Sequence, residues 1–150
     1  MTADQAAGAA APSFRYAGHG ARLAAWVVDI FLMTMVTAAL MAVVFASTSG
    51  RVDEGALNLF GAMGASIAST LYFPFFWVGT GWTPGMRALG LRVVRERDGG
   101  RVGLIPALVR LIGYSIDVLG LFVGFAWILI DRRRRGWHDI LAGTVVIRER

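Results

Sequence analysis

Two aspartates lie inside apolar stretches of this 150-residue chain: Asp29 within residues 23–46 and Asp117 within residues 104–130. An aspartate in a bilayer-crossing helix costs roughly 2.5–3.5 kcal/mol on insertion scales, so it faces a bundle interior, a partner or a water-filled cavity. Each is preceded seven residues earlier by an arginine, Arg22 and Arg110. At about 3.6 residues per turn that step returns to the same helix face, with the arginine at the edge and the aspartate about two turns deeper. Such groups do one of two things. A carboxylate at depth binds a cation or exchanges a proton, or an Arg–Asp pair locks helices together. Under the first reading Asp29 is the leading cation or proton site between helices, with Arg22 beside it; Asp117 is the second candidate, and Arg110 marks an interface.

The sequences RLAAWVVDIFL from Arg22 and RLIGYSIDVLG from Arg110 share Arg, Leu and Asp at equivalent positions. This is a weak internal repeat, open to duplication or to chance. Repeat-built transporters bring such groups together near the midplane. The dipeptide His138-Asp139 raises acid–base chemistry, but no Ser or Cys nucleophile, neighbouring second histidine or glycine-rich phosphate loop accompanies it. Asp139 is therefore expected to cap a helix or pair with an arginine, and no enzyme is expected. With no cysteine, and His19 and His138 as its histidines, the chain offers no disulfide and no structural zinc set. No cofactor is expected either.

The elements that must position these residues are membrane elements. The chain is 56% hydrophobic with a mean hydropathy of +0.59, far above the need of a soluble domain of this size. Residues 23–46 are long enough, at about 1.5 Å per residue, to cross a hydrocarbon core of roughly 30 Å. A cleaved signal peptide is the competing reading, but the run exceeds the roughly 7–15 residues of a signal core and contains Asp29. It is read as a retained first span. Residues 56–78 carry no charge and hold Gly61, Gly64, Ala65 and Ser69 at spacings that suit close helix approach. Pro74 is expected to bend the last turns of that second span. Residues 1–15 are read as a disordered lead-in, with one membrane domain over residues 16–150.

Residues 79–103 interleave Arg87, Arg92, Arg95, Arg97 and Arg101 with Leu91, Val93, Val94 and Val102 around Asp98-Gly99-Gly100, which predicts a polar β-hairpin. The β-branched residues 144–147 are expected to add a strand to it. Residues 104–130 are apolar but interrupted by Arg110, Asp117 and three glycines. Arginine-rich short loops stay cytoplasmic, so the N-terminus, the five-arginine loop and the arginine-rich tail are expected inside. A third segment crossing once would put the tail outside, whereas a re-entrant one keeps both ends inside; the arginine distribution favours re-entry. The expected fold is thus an all-α membrane protein with three hydrophobic helical segments and a small cytoplasmic sheet.

The basic residues are all arginine and the net charge is +5. Flanking apolar spans, they point to anionic lipid headgroups rather than nucleic acid. Arg132, Arg133, Arg134 and Arg135 form a stop-transfer cluster, and Trp77, Trp82, Trp127 and Trp137, at the ends of apolar blocks, are expected to anchor at headgroup depth. So few spans do not readily enclose a pathway, so a second copy or another membrane protein is the expected partner besides the bilayer.

Arg22 and Asp29 in the first span, GWTPGMRALGLRVV from Gly81 and RRGWHDILAGTVVI from Arg134 together resemble the RDD family of bacterial membrane proteins. The resemblance covers residues 16–147. It implies that Arg22, Asp29 and Asp139 are the arginine and two aspartates for which the family is named, with Arg22 and Asp139 as the partners of Asp29 in the cation or proton site, and that the chain sits in the bacterial inner membrane. Met86 stands where the family often has a lysine. The family is suspected of ligand transport, with cation/proton exchange reported for some members.

Overall fold

The structure is a computed structural model that describes residues 14–48, 51, 53–120 and 123–149. The expected lead-in falls almost entirely on residues outside these. Two long helices dominate, α1 (His19–Ser47) and α2 (Glu54–Gly79). Asp53 starts α2 by accepting a hydrogen bond from the Ala56 N–H at 3.0 Å, and Glu54 adds negative charge to its first turn. At 1.5 Å per residue the helices are about 43 and 39 Å long, enough to cross a bilayer. Among the described residues these two helices are long and apolar enough to do so.

Apolar side chains cover the outside of both helices. Val36, Leu40 and Val43 on α1 and Phe60, Ile67 and Leu71 on α2 are all exposed. In water that surface would be an aggregation liability; in hydrocarbon it is the ordinary exterior of a span. Only Ala25 and Asp29 of α1 are buried, both in its first half. A Cβ at Gly61 would make an ordinary contact with the Met41 sulfur at 3.4 Å, and one at Gly64 would meet nothing within 4 Å among the described residues, so the expected close approach at these glycines is not found. Helix α2 continues through Pro74 to Gly79.

At the end where α1 begins and α2 finishes lies a layer of short elements: α3 (Pro84–Ala88), β1 (Leu91–Arg95), α6 (Trp137–Ala142) and β2 (Thr144–Arg148). The strands pair antiparallel in the register Leu91↔Arg148, Val93↔Val146 and Arg95↔Thr144. Tyr16 bridges Ile147 on the other edge, and the Ala17 N–H donates to the Val146 carbonyl at 2.9 Å. The expected hairpin does not form. Its turn is present, with Gly99 at φ +68° and the Asp98 carboxylate accepting from the Gly100 N–H at 2.9 Å, but residues 101–103 form no strand. Strand β2 takes that place because Val145 and Val146 bury completely beside Val93, whereas beyond the turn only Val102 is apolar enough to enter the core.

The third apolar segment is not one helix. It comprises α4 (Leu104–Leu119), α5 (Val123–Ala126) and a 3-10 turn (Trp127–Leu129). Helix α4 is about 24 Å long, short of the hydrocarbon thickness. Because Leu91–Arg95 and Thr144–Arg148 share one sheet, the chain between them returns to the end it left. A single crossing by this segment is incompatible with that pairing. The core lies where the sheet meets the start of α1, the end of α2 and α4, around Leu91, Val93, Val102, Ala107, Trp77 and Val146.

Candidate functional site

Asp29 is 1% exposed, and both of its oxygens are occupied. Oδ1 accepts from the Tyr72 hydroxyl at 2.8 Å and from the Gly85 N–H at 2.7 Å; Oδ2 accepts from the Thr83 hydroxyl at 2.5 Å. Thr83 is the N-cap of α3 and also accepts from the Met86 N–H at 3.2 Å. The carboxylate thus pins α1 to α2 and to the capped start of α3, using donors that carry no charge. Gly85 is required there: a Cβ would collide with the Ala25 carbonyl and the Asp29 carboxyl.

The expected partnership of Arg22 with Asp29 is not found. Arg22 Nη1 donates to Asp139 Oδ2 at 2.5 Å, and Arg110 Nη1 donates to Asp139 Oδ1. One carboxylate therefore bridges two guanidinium groups from α1 and α4. Asp139 is fully buried, and it also caps α6 by accepting from the Gly136 N–H at 3.1 Å, so the expected capping and pairing roles coexist. Arg110 is 2% exposed, donates to the Thr144 hydroxyl at 2.8 Å and lies 4.8 Å over the Trp77 ring. Burial disfavours the Asp139 carboxylate, but Arg110, His138 and Arg22 outweigh that and hold its carboxyl well below the usual range.

Asp117, also fully buried, pairs with neither arginine. Its Oδ2 meets His138 Nδ1 at 2.5 Å. Burial pushes the His138 imidazole below its ordinary pKa, against the opposing pull of Asp139 and the Asp117 hydrogen bond. The ring stacks on Tyr114, centroids 4.2 Å apart, and Tyr114 stacks in turn on Trp77 at 5.6 Å. Gly124 presses on the Asp117 carboxyl, where no Cβ fits. His138 was passed over by the sequence reasoning as a partner for Asp117, since nothing in the spacing joins them.

These contacts extend the repeat well beyond its three shared residues. In the first half Arg22 and Asp29 precede Gly81-Trp82-Thr83, a short helix, Gly90 at φ +63° and β1; in the second, Arg110 and Asp117 precede Gly136-Trp137-His138, a short helix, Gly143 at φ +60° and β2. Thr83 and His138 occupy equivalent positions, and each contacts the aspartate of its own half at 2.5 Å. Both arginines then converge on Asp139, which has Pro84 as its counterpart. The halves are alike in the order of these elements and unlike in helix length and in charge.

Between α1, the end of α2, α4 and the 125–129 segment lies a cavity of about 350 Å³. Its walls are mainly apolar, yet Arg22 and Arg110 reach it. Four buried nitrogen atoms on its lining residues lack a hydrogen-bond partner: His19 Nδ1, Arg22 Nε and Nη2, and Arg110 Nε. Among the described residues there is no grouping of His, Cys, Asp and Glu that would hold a metal.

The arginine cluster after residue 131 divides. Arg135 Nη1 donates to Glu96 at 2.9 Å and Nη2 to Asp131 at 3.0 Å, and Arg133 also pairs with Glu96. The hydrogen bond from Arg135 holds the Asp131 carboxyl below its usual range. Arg132 and Arg134 remain exposed. Of the expected tryptophan anchors, Trp77 is a core residue at 1% exposure, stacked on Tyr114 beneath Arg110, and not an anchor. Trp82 is half-buried under Arg87, 4.4 Å from its ring centre, while the half-buried Trp137 lies 6.3 Å from Trp127.

The RDD family pattern matches residues 16–143. The uncharacterized protein YckC of Bacillus subtilis is 34% identical over 82 residues, 51% of this chain and 52% of that protein. The chain thus spans about half the length of this curated relative in the match. No solved structure matches. The family pattern runs from the sheet-bridging Tyr16 through Arg22, Asp29 and Asp139 to the glycine before β2, and the chain belongs to the RDD family.

Proposed function

We propose that this chain is a multi-pass, non-enzymatic membrane module whose buried Arg and Asp groups fasten a sheet-bearing layer onto two spanning helices, and that it acts by assembling with a second copy or another membrane protein. The hydrogen bonding of Asp29 carries this reading. A cation site needs several open oxygen lone pairs, but three donors already occupy three of the roughly four that this carboxylate has. The arginine-rich layer, with the N-terminus beside it, belongs on the cytoplasmic side of a bacterial inner membrane by the positive-inside rule. There the exposed Arg132 and Arg134 are available to anionic headgroups, with Trp82 and Trp137 near the interface.

The test is collapse of an imposed pH gradient in everted vesicles on adding Na⁺, Li⁺ or K⁺, comparing wild type with Asp29→Asn at matched protein levels. The expected result is the same trace for both, with the variant less heat-stable in detergent. Cation-dependent collapse by wild type that the variant loses while keeping wild-type stability would overturn the reading.

One observation favours a second reading, exchange through the other half. Asp117 Oδ1 is buried without a partner, next to the buried His138, and buried carboxyl–imidazole pairs are common proton carriers in membranes. In the same vesicles this reading predicts cation-dependent collapse that survives Asp29→Asn and is lost in Asp117→Asn.

A further inference from the structure

We propose that the cavity between the two halves is a binding site for an anionic amphiphile: one acidic head, carboxylate or phosphate, on a single apolar chain. Arg22 and Arg110 each spend Nη1 on Asp139, and Arg110 spends it on Thr144 as well, leaving Arg22 Nε and Nη2 and Arg110 Nε without acceptors. These are buried, charged donors: the Arg22 and Arg110 side chains are 10% and 2% exposed. A buried guanidinium N–H without an acceptor is costly, and an anionic oxygen is the group that satisfies it best. His19 Nδ1 lines the same space without a partner. The Asp29 carboxylate also lines it, but its three donors remove it as a competitor.

The rest of the wall selects for a chain. Phe73, Met86 and Ile128 supply apolar surface, and the exposed Leu23, Trp26 and Leu129 mark where the cavity meets the helix exterior. That exterior faces hydrocarbon if α1 spans the bilayer, so the entrance lies beside lipid. About 350 Å³ is at the lower end of the range of small-molecule pockets, roughly 300–1,000 Å³, which suits one chain rather than two. Arg22 and Arg110 are equivalent residues of the two halves, and the boundary between repeats is where repeat-built membrane proteins hold their ligands.

The experiment uses the full chain in a maltoside detergent with cis-parinaric acid as the probe, read by energy transfer from Trp26 and Trp77, both of which line the cavity. Saturable transfer is expected, displaced by oleate or oleoyl lysophosphatidate but not by oleyl alcohol; which of the two acids displaces at lower concentration tells free fatty acid from lipid phosphate. Arg22→Lys keeps a cation for Asp139 and removes the unpartnered donors; it should weaken the probe by about tenfold, the worth of one charge-assisted hydrogen bond. Ala126→Trp fills the entrance without touching the ion pairs and should abolish saturable transfer, and it decides the matter if Arg22→Lys does not fold. Absence of saturable transfer, displacement by oleyl alcohol as readily as by oleate, or unchanged binding in Ala126→Trp would overturn the proposal.

Discussion

Asp29 and Asp139 are both buried aspartates within reach of α1, yet one is surrounded by neutral donors and the other by guanidinium groups. Asp29 accepts from a phenol, a threonine hydroxyl and a backbone N–H. Asp139 holds Arg22 and Arg110 and caps its own helix. The same side chain thus does two jobs here. The first is a hydrogen-bond hub that sets the position of α3. The second is a counter-charge without which two buried cations repel each other.

Removing that counter-charge should have the largest effect. Asp139→Asn leaves two guanidinium groups facing a neutral amide and should cost roughly 3–5 kcal/mol, as when one partner of a buried pair is lost; the check is heat-induced aggregation in detergent, where little folded protein should survive. Asp29→Asn exchanges one oxygen for an NH2 that cannot accept, so either Thr83 or the pair Tyr72 and Gly85 loses its acceptor, and about 1–3 kcal/mol should be lost by the same assay. If Asp29→Asn proved the more damaging, the contrast between hub and counter-charge would be lost.

Acid should sharpen the contrast further. The His138 pKa is depressed in the folded chain, so its contribution to stability is fully present above the unfolded imidazole value of about 6.5 and is lost as pH falls below it. The Asp139 pKa is also depressed, and its contribution is lost only at lower pH, below about 3.9. The melting temperature in detergent should therefore fall between pH 7.5 and 5.5, and His138→Gln should flatten that slope. The smallest effect belongs to the exposed rim: Arg133→Ala, at a side chain 55% exposed, should change stability by less than about 1 kcal/mol.

Much of this was legible in the sequence, for identifiable reasons. The two spans followed from the length of their apolar runs, and the burial of Asp29 and Asp117 from the cost of leaving them in lipid. The wiring was not legible. Seven residues return to one face but move about 10 Å along the axis, and a helical side chain leans toward the N-terminus. Arg22 therefore points away from Asp29, toward the sheet end, where Asp139 waits. The Asp98-Gly99-Gly100 signal correctly marked a turn but not its strand partner, because register follows which valines can bury and β2 offered more of them. Trp77 sits at a block end like the interfacial tryptophans; only the packing of α4 against α2 shows that Tyr114 and Arg110 cover it. The repeated Gly-Trp dipeptides were the unread signal for the full extent of the repeat.

The most direct test of this wiring is a double-mutant cycle on unfolding free energy in detergent, pairing Arg22→Gln with Asp139→Asn and, in parallel, with Asp29→Asn. A coupling above about 1 kcal/mol is expected between Arg22 and Asp139, and additivity within about 0.5 kcal/mol between Arg22 and Asp29. Strong coupling to Asp29 with none to Asp139 would contradict this wiring.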